Sequence, residues 1–213
     1  EPAPAAAGAA ERTEGTAEAA AARLDEVLER LARIEARFTQ TLRDARGTVL
    51  RESAGALWAA RPDRFRWEVE RPFAEVLVGD GETLWLWDPD LEQVTVRPYD
   101  ERLKGTPARL LSGRADELVD GFEVRLLRSE ADREVYALRP REGAGLFERL
   151  EMVFAGGVPQ ALRILDSLGQ RTEVRLTDVV LGGEIDPERF AFEIPEGADV
   201  LREEAERAEP GRG

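Results

Sequence analysis

Alternating runs of apolar residues, separated by turn residues, constrain the fold of this chain more than any other feature. Side chains alternate between the two faces of a strand, so such runs predict β-strands. The breaks between the runs contain Pro, Gly and Asp, which turns favour, and they are short enough to join antiparallel neighbours. In the first half of the chain the predicted strands are 48–59, 63–71, 74–79, 83–88 and 92–98.

All four tryptophans of the chain lie within these predicted strands. Phe65 and Trp67 share one face of a strand, and Trp85 and Trp87 share one face of another, while Trp58 lies in the strand before them. Large aromatic side chains are costly to expose to water and usually belong to a core. Two interpretations therefore remain open: an ordinary β core, or an aromatic surface that binds an apolar ligand.

Two helical segments accompany the predicted strands, one before them and one in the middle of the chain. Apolar residues recur at helical spacing over residues 24–33, and Thr106 followed by Pro107 predicts the start of a second segment, which ends near residue 120. A long antiparallel sheet of this kind either closes on itself or curls and covers its apolar face with the helices. In the second half of the chain the predicted strands are 122–128, 133–139, 147–154, 158–166, 170–180 and 190–194.

Composition argues against catalysis. The 213 residues include no His and no Cys, which excludes Ser-His-Asp and Cys-His catalysis and zinc sites built on those residues. Carboxylate pairs such as Asp88 and Asp90, or Asp80 and Glu82, could serve a glycosidase, but they lie in turns where Asp is expected for turn chemistry. We therefore predict that the chain is not an enzyme and needs no metal, nucleotide or redox cofactor.

The net charge and the composition of the two ends of the chain support three further predictions. A net charge of −14 repels phosphate backbones, so we expect no nucleic-acid partner. Residues 1–22 contain no large apolar side chain and are predicted to be a disordered acidic leader, followed by one domain over 23–200 and a charged tail over 201–213. Since the first residue is Glu and not Met, we expect that an upstream segment has been removed, and a cleaved secretory signal or trimming of the chain would look the same. For a periplasmic protein, the expectation is the cleaved signal.

Five short motifs occur in order and at consistent spacing: Arg37-Phe-Thr-Gln40, Gly55-Ala-Leu-Trp58, Arg61-Pro-Asp-Arg-Phe-Arg-Trp67, Asp80-Gly-Glu-Thr-Leu-Trp85 and Phe190-Ala-Phe-Glu-Ile-Pro-Glu-Gly197. As an ordered set, they resemble the periplasmic outer-membrane lipoprotein carrier family (LolA). The resemblance covers about residues 24–200. It implies a mainly β, α+β fold, in which a curled antiparallel sheet forms an incomplete β-barrel and a lid of short helices covers an apolar cavity.

The resemblance also implies a function. Members of the family are periplasmic chaperones, and we expect a monomer that binds the acyl chains of lipid-modified proteins. They receive these proteins from a lipoprotein-releasing ABC transporter in the inner membrane and deliver them to a receptor lipoprotein at the outer membrane. One alternative is a lipid- or peptide-binding periplasmic sensor domain of the same fold. Another is the receptor itself, which requires a lipidated cysteine that this sequence lacks.

Particular residues acquire expected roles from the same resemblance. Arg61 matches an arginine that closes the empty cavity by hydrogen bonds to the backbone of the lid helices, and Phe65 matches an aromatic residue at the cavity mouth. Alternation places Trp85 and Trp87 on the same side of their strand without indicating which side faces the cavity. The residues expected to line the cavity or its mouth are Phe38, Trp58, Phe65, Trp67, Trp85 and Trp87.

Overall fold

The computed structural model describes residues 17–99, 106–130, 132–141 and 147–203. None of the helices in these ranges is long and apolar enough to cross a membrane. The helices are α1 (Ala17–Glu29), α2 (Pro107–Ser112), α3 (Ala115–Asp120) and a short 3-10 helix (Pro187–Phe190). The strands are β1 (Arg33–Arg43), β2 (Val49–Ala60), β3 (Arg64–Arg71), β4 (Glu75–Gly79), β5 (Thr83–Asp88), β6 (Gln93–Pro98), β7 (Phe122–Glu130), β8 (Arg133–Pro140), β9 (Arg149–Ala155), β10 (Val158–Leu165), β11 (Arg171–Leu181) and β12 (Asp199–Arg202).

One sheet contains all of these strands, in the order β12-β6-β5-β4-β3-β2-β1-β11-β10-β9-β8-β7. Neighbouring strands are antiparallel, except that β12 runs parallel to β6. Pairing of β1 with β11 joins the two halves of the chain in the middle of the sheet. The edge strands β7 and β12 do not pair with each other, so the sheet stays open. The predicted mainly β fold, with an unclosed sheet and helices beside it, is confirmed.

The strand register creates an inner face that the helices cover. Leu57 of β2 lies opposite Trp67 of β3. Both side chains belong to one apolar cluster that also includes Leu24 and Leu28 of α1 and Leu110 of α2. The three leucines are fully buried, and each such burial stabilises a fold by about 1.5–3 kcal/mol. Contact with this face therefore holds α1 and α2 in place, more than the intrinsic stability of such short helices does.

Helix α1 differs from the sequence-based prediction at its start. It begins at Ala17 instead of Leu24, and it ends at Glu29. The added turns are mainly alanine, which has the highest helix propensity, and Ala20 is buried in the apolar cluster. Residues 17–22 are therefore helical, although we expected them in the disordered leader. Residues 1–16 of that leader lie outside the described residues.

The C-terminal segment also corrects the prediction. Residues 190–194 do not form a strand. Phe190 ends the 3-10 helix and is buried, and the ring of Phe192 lies 6.3 Å from that of Trp85, so both side chains pack on the sheet without belonging to a strand. The last strand is β12, which overlaps the expected start of the charged tail at residue 201. Residues 204–213 of that tail lie outside the described residues.

Close approach of two strands at Gly55 generates a prediction about stability. A Cβ atom added there would lie 1.8 Å from the backbone oxygen of Glu68, where the register of β2 against β3 shifts. Gly55→Ala should therefore lower the free energy of unfolding by roughly 2–3 kcal/mol in urea denaturation, as overpacking does. Gly183→Ala is the control, because its added Cβ would make only an ordinary 3.5 Å contact with Val180. Equal stability of the two variants would contradict the close approach.

Candidate functional site

The turn between β2 and β3 contacts the C-terminal end of α2. The Arg61 guanidinium donates hydrogen bonds from Nη1 to the carbonyl oxygen of Gly113 and from Nη2 to that of Leu110, the latter at 3.4 Å. The backbone N–H of Asp63 donates to the carbonyl oxygen of Ser112 at 2.8 Å. We name the two contacts of Arg61 the lid latch. Together, the latch and the Asp63 N–H donate hydrogen bonds to three carbonyl oxygens at the end of one short helix.

These contacts satisfy groups that the helix cannot satisfy itself. The last carbonyls of a helix have no partner within it, and a helix of six residues is too short to be stable alone. At the other end of α2, the side chain of Thr106 accepts a hydrogen bond from the Arg109 backbone N–H, and Pro107 follows it. The predicted start of this helix is confirmed. The position of α2 depends on the Arg61–Asp63 turn at one end and on the Thr106 cap at the other.

Burial dominates the electrostatics of Arg61. Removal from water lowers the pKa of its guanidinium to about 10, the nearby cation of Arg109 acts in the same direction, and Asp25 of α1 opposes them. The side chain is therefore still charged at neutral pH. Its Nε atom is buried and has no hydrogen-bond partner among the described residues. The charge is only partly compensated, so the latch is a contact of limited strength.

A second polar cluster connects the same turn to α2. Nη1 of Arg109 forms an ion pair with Asp63 and donates a 2.7 Å hydrogen bond to the Tyr99 hydroxyl. The guanidinium carbon of Arg109 lies 4.9 Å from the centre of the Tyr99 ring, within cation–π range. Sequence reasoning did not identify this cluster, because its three members are distant in the chain. The one local signal was the Asp that follows Arg61-Pro62.

Three of the predicted aromatic residues meet on the inner face. The ring centres of Phe38 and Trp67 lie 4.1 Å apart, and Phe65 covers the glycine opposite it, Gly79. The exposed fractions are 2% for Phe38, 1% for Phe65 and 8% for Trp67, and all three belong to the cluster that includes α1 and α2. Helix side chains thus occupy the surface on which an apolar ligand would have to lie.

The other three tryptophans lie on the outer face of the sheet. Trp58 is opposite Arg66 in the register, on the side away from Leu57, and the Arg189 guanidinium carbon lies 4.3 Å from its ring centre. Trp85 packs against Phe192, as described above. Trp87 follows Trp85 by two residues in β5 and faces the same way. Of the two locations left open by the sequence, the structure therefore places Trp58, Trp85 and Trp87 behind the sheet.

The fold and the site together define a class of protein in which an open sheet and a layer of helices enclose an apolar interior. Comparison of the chain with protein families gives a match to "Outer membrane lipoprotein carrier protein LolA" over residues 29–193. The chain belongs to this family.

Named relatives support the same placement over most of the chain. An outer-membrane lipoprotein carrier protein from Chromohalobacter salexigens is 45% identical over 183 residues, which cover 86% of this chain and 87% of that protein. The protein of the same name from Azotobacter vinelandii is 41% identical over 182 residues, which cover 85% of this chain and 87% of that protein.

Solved structures resemble the fold at low sequence identity. A LolA superfamily protein from Nitrosomonas europaea gives a TM-score of 0.50 at 14% identity, covering 84% of this chain and 98% of that one. An uncharacterized conserved protein from Thermus thermophilus gives a TM-score of 0.56 at 14% identity, covering 89% of this chain and all of that one. At this identity the likeness concerns the fold alone.

The Asp63–Arg109 ion pair generates a prediction about stability. The two side chains are only 23% and 14% exposed, so replacing the carboxylate removes a shielded ion pair between α2 and the turn. Asp63→Asn should lower the free energy of unfolding by about 1–2 kcal/mol. The control is Asp116→Asn, which removes a carboxylate from an ion pair whose side chains are 54% and 60% exposed and should cost at most about 0.5 kcal/mol. Urea denaturation of both variants measures the difference, and equal losses would contradict a structural role for Asp63.

Proposed function

We propose that this protein carries lipid-modified proteins through the periplasm and shields their acyl chains between the inner face of the sheet and helices α1 and α2. The observation that carries the proposal is the single apolar cluster formed by the sheet and both helices. Exposure of an acyl chain to water costs about 0.8 kcal/mol per methylene, so transit through water requires an apolar container. Family membership supports the cargo class, because the relatives are named lipoprotein carriers.

Binding requires the helices to move away from part of the inner face. Phe38, Phe65 and Leu110 are almost completely buried when the helices are in place, which is the arrangement expected of the empty carrier. An acyl chain can then bind only by replacing helix side chains on the sheet. The free energy of opening is subtracted from the free energy of binding, so an apolar cargo binds with only moderate affinity. Moderate affinity permits release without nucleotide hydrolysis.

The lid latch adjusts this opening energy. Arg61 contacts carbonyls of α2 only while α2 lies against the turn. Its contribution is limited because its charge is buried and partly compensated. We propose that the carrier loads at an inner-membrane ABC transporter and unloads at an outer-membrane receptor lipoprotein, and that the latch favours the second step by stabilising the empty form.

A first experiment locates the bound acyl chain through tryptophan fluorescence. A triacylated lipopeptide with brominated chains quenches only tryptophans that it touches. Trp67 lies on the inner face and Trp85 on the outer face, so the parent protein and Trp85→Phe should show quenching, whereas Trp67→Phe should lose most of it. The unacylated peptide is the control ligand and should quench neither. Quenching that survives Trp67→Phe and disappears in Trp85→Phe would place the acyl chains behind the sheet.

A second experiment tests the latch. Arg61→Leu removes charge-assisted hydrogen bonds, and we expect the closed form to lose about 1–3 kcal/mol, which raises apparent cargo affinity by about 5–150-fold. The variant should load normally and transfer cargo slowly from loaded carrier to purified receptor. Arg61→Lys should be intermediate, because an ammonium keeps the charge but loses the planar fork.

The matched control for this transfer assay is Arg175→Leu. Arg175 is 68% exposed and pairs with Glu173 at the surface, so its replacement makes the same chemical change without touching α2. Arg175→Leu should transfer at the parental rate. If Arg61→Leu also transfers at that rate, the latch does not regulate release.

A further inference from the structure

One carboxylate lies at the margin of the inner face, where nearly every other side chain is apolar. Glu134 of β8 is on the same side of its strand as Tyr136 and Leu138, which belong to the inner cluster. Its side chain is only 12% exposed. A shielded carboxylate on an apolar surface is costly unless it is paired and hydrogen-bonded. The groups that compensate Glu134 should therefore matter for the state of the carrier.

Two groups compensate this carboxylate. Oε1 of Glu134 forms an ion pair with Nη2 of Arg23 on α1, whose side chain is 54% exposed, and Oε2 accepts a 3.1 Å hydrogen bond from the Tyr136 hydroxyl. Oε1 is buried and its contact with Arg23 lacks hydrogen-bond geometry, so the attraction between the two groups is that of opposite charges. The close contact with Glu134 and the charge of that carboxylate raise the pKa of Arg23. Burial, followed by the charge of Glu134, raises the pKa of Tyr136 to about 12, so its hydroxyl keeps its proton at neutral pH. One partner belongs to the sheet, and the other belongs to a helix that covers it.

We propose that the Arg23–Glu134 pair is a second tether, which holds α1 on the sheet and sets, together with Arg61, how readily the inner face opens to acyl chains. The proposal rests on the proposed function. When α1 moves away, Tyr136 stays with Glu134, but the cation leaves with the helix. The carboxylate then keeps the Tyr136 hydrogen bond but loses the attraction of the Arg23 charge, so opening is penalised. The tether and the lid latch act on different helices, because Arg23 is part of α1 and Arg61 contacts α2.

Removal of either partner should favour the open form. We expect Arg23→Gln and Glu134→Gln each to tighten binding of the probe 1-anilinonaphthalene-8-sulfonate by about five- to tenfold, since the closed form loses the attraction. The double variant should bind about as tightly as either single variant, because both substitutions remove the same interaction. Exchanging the charges, with Arg23→Glu and Glu134→Arg in one protein, should restore affinity toward the parental value.

The control is Arg125→Gln. Arg125 pairs with Glu123 at 2.7 Å, and its side chain is 64% exposed, so the variant makes the same change in net charge as Arg23→Gln, but at the surface. Its probe affinity should equal that of the parent. A matching increase in this control would show that net charge is responsible, and it would overturn the tether.

Amide hydrogen exchange provides a readout that does not depend on cargo. Arg23→Gln should raise exchange in residues 17–29 and leave the central strand β1 unchanged, whereas Arg125→Gln should change neither. The proposal is overturned if exchange in α1 is unchanged, or if it increases without tighter probe binding. It is also overturned if the increases in probe affinity of the two single variants multiply in the double variant. If the parent protein fails to bind triacylated peptide, the proposed function fails instead, and the exchange data still decide whether the pair holds α1.

Discussion

An open sheet with one apolar face exposes that face to water unless another layer covers it. In this protein, α1 and α2 supply the layer, and their leucines share one cluster with Phe38 and Trp67. Because an acyl chain offers the same apolar chemistry as a leucine side chain, it can replace the helices with little change in the environment of the sheet. Under the proposed function, the helices that cover the sheet and the acyl chains of the cargo therefore compete for one surface.

Polar contacts at the margin of this surface govern the competition. Burial of apolar area is non-directional and would accept many helix positions, whereas Arg61 and the Asp63–Arg109 pair fix α2 against one turn. The Arg23–Glu134 pair plays the corresponding part for α1. Each of these charges is partly shielded, so each contributes only modestly to the closed form. The proposed function requires a carrier that opens for its cargo and closes when empty, and contacts of this limited strength permit both.

The sequence predicted what local patterns determine. Alternation located β2 to β11, and Thr106 with Pro107 marked the start of α2. The start of α1 was missed because alanine carries no periodic signal, and Phe190 and Phe192 alternate because they pack on the outer face without joining the sheet. Which face each tryptophan occupies depends on strand register across the sheet, and the Arg23–Glu134 pair joins residues far apart in the chain. Neither the face of a tryptophan nor a distant ion pair has a local signature in the sequence.

The most direct test follows α1 during binding. The sequence contains no cysteine, so spin labels introduced at Glu26→Cys on α1 and Thr177→Cys on β11, both exposed positions, report one distance. Pulsed electron spin resonance should give a single short distance for the empty protein and for the protein mixed with unacylated peptide. Triacylated peptide should shift the distribution to longer distances, because the acyl chains replace α1 on the sheet. An unchanged distribution with triacylated peptide demonstrably bound would contradict competition between helix and cargo for the inner face.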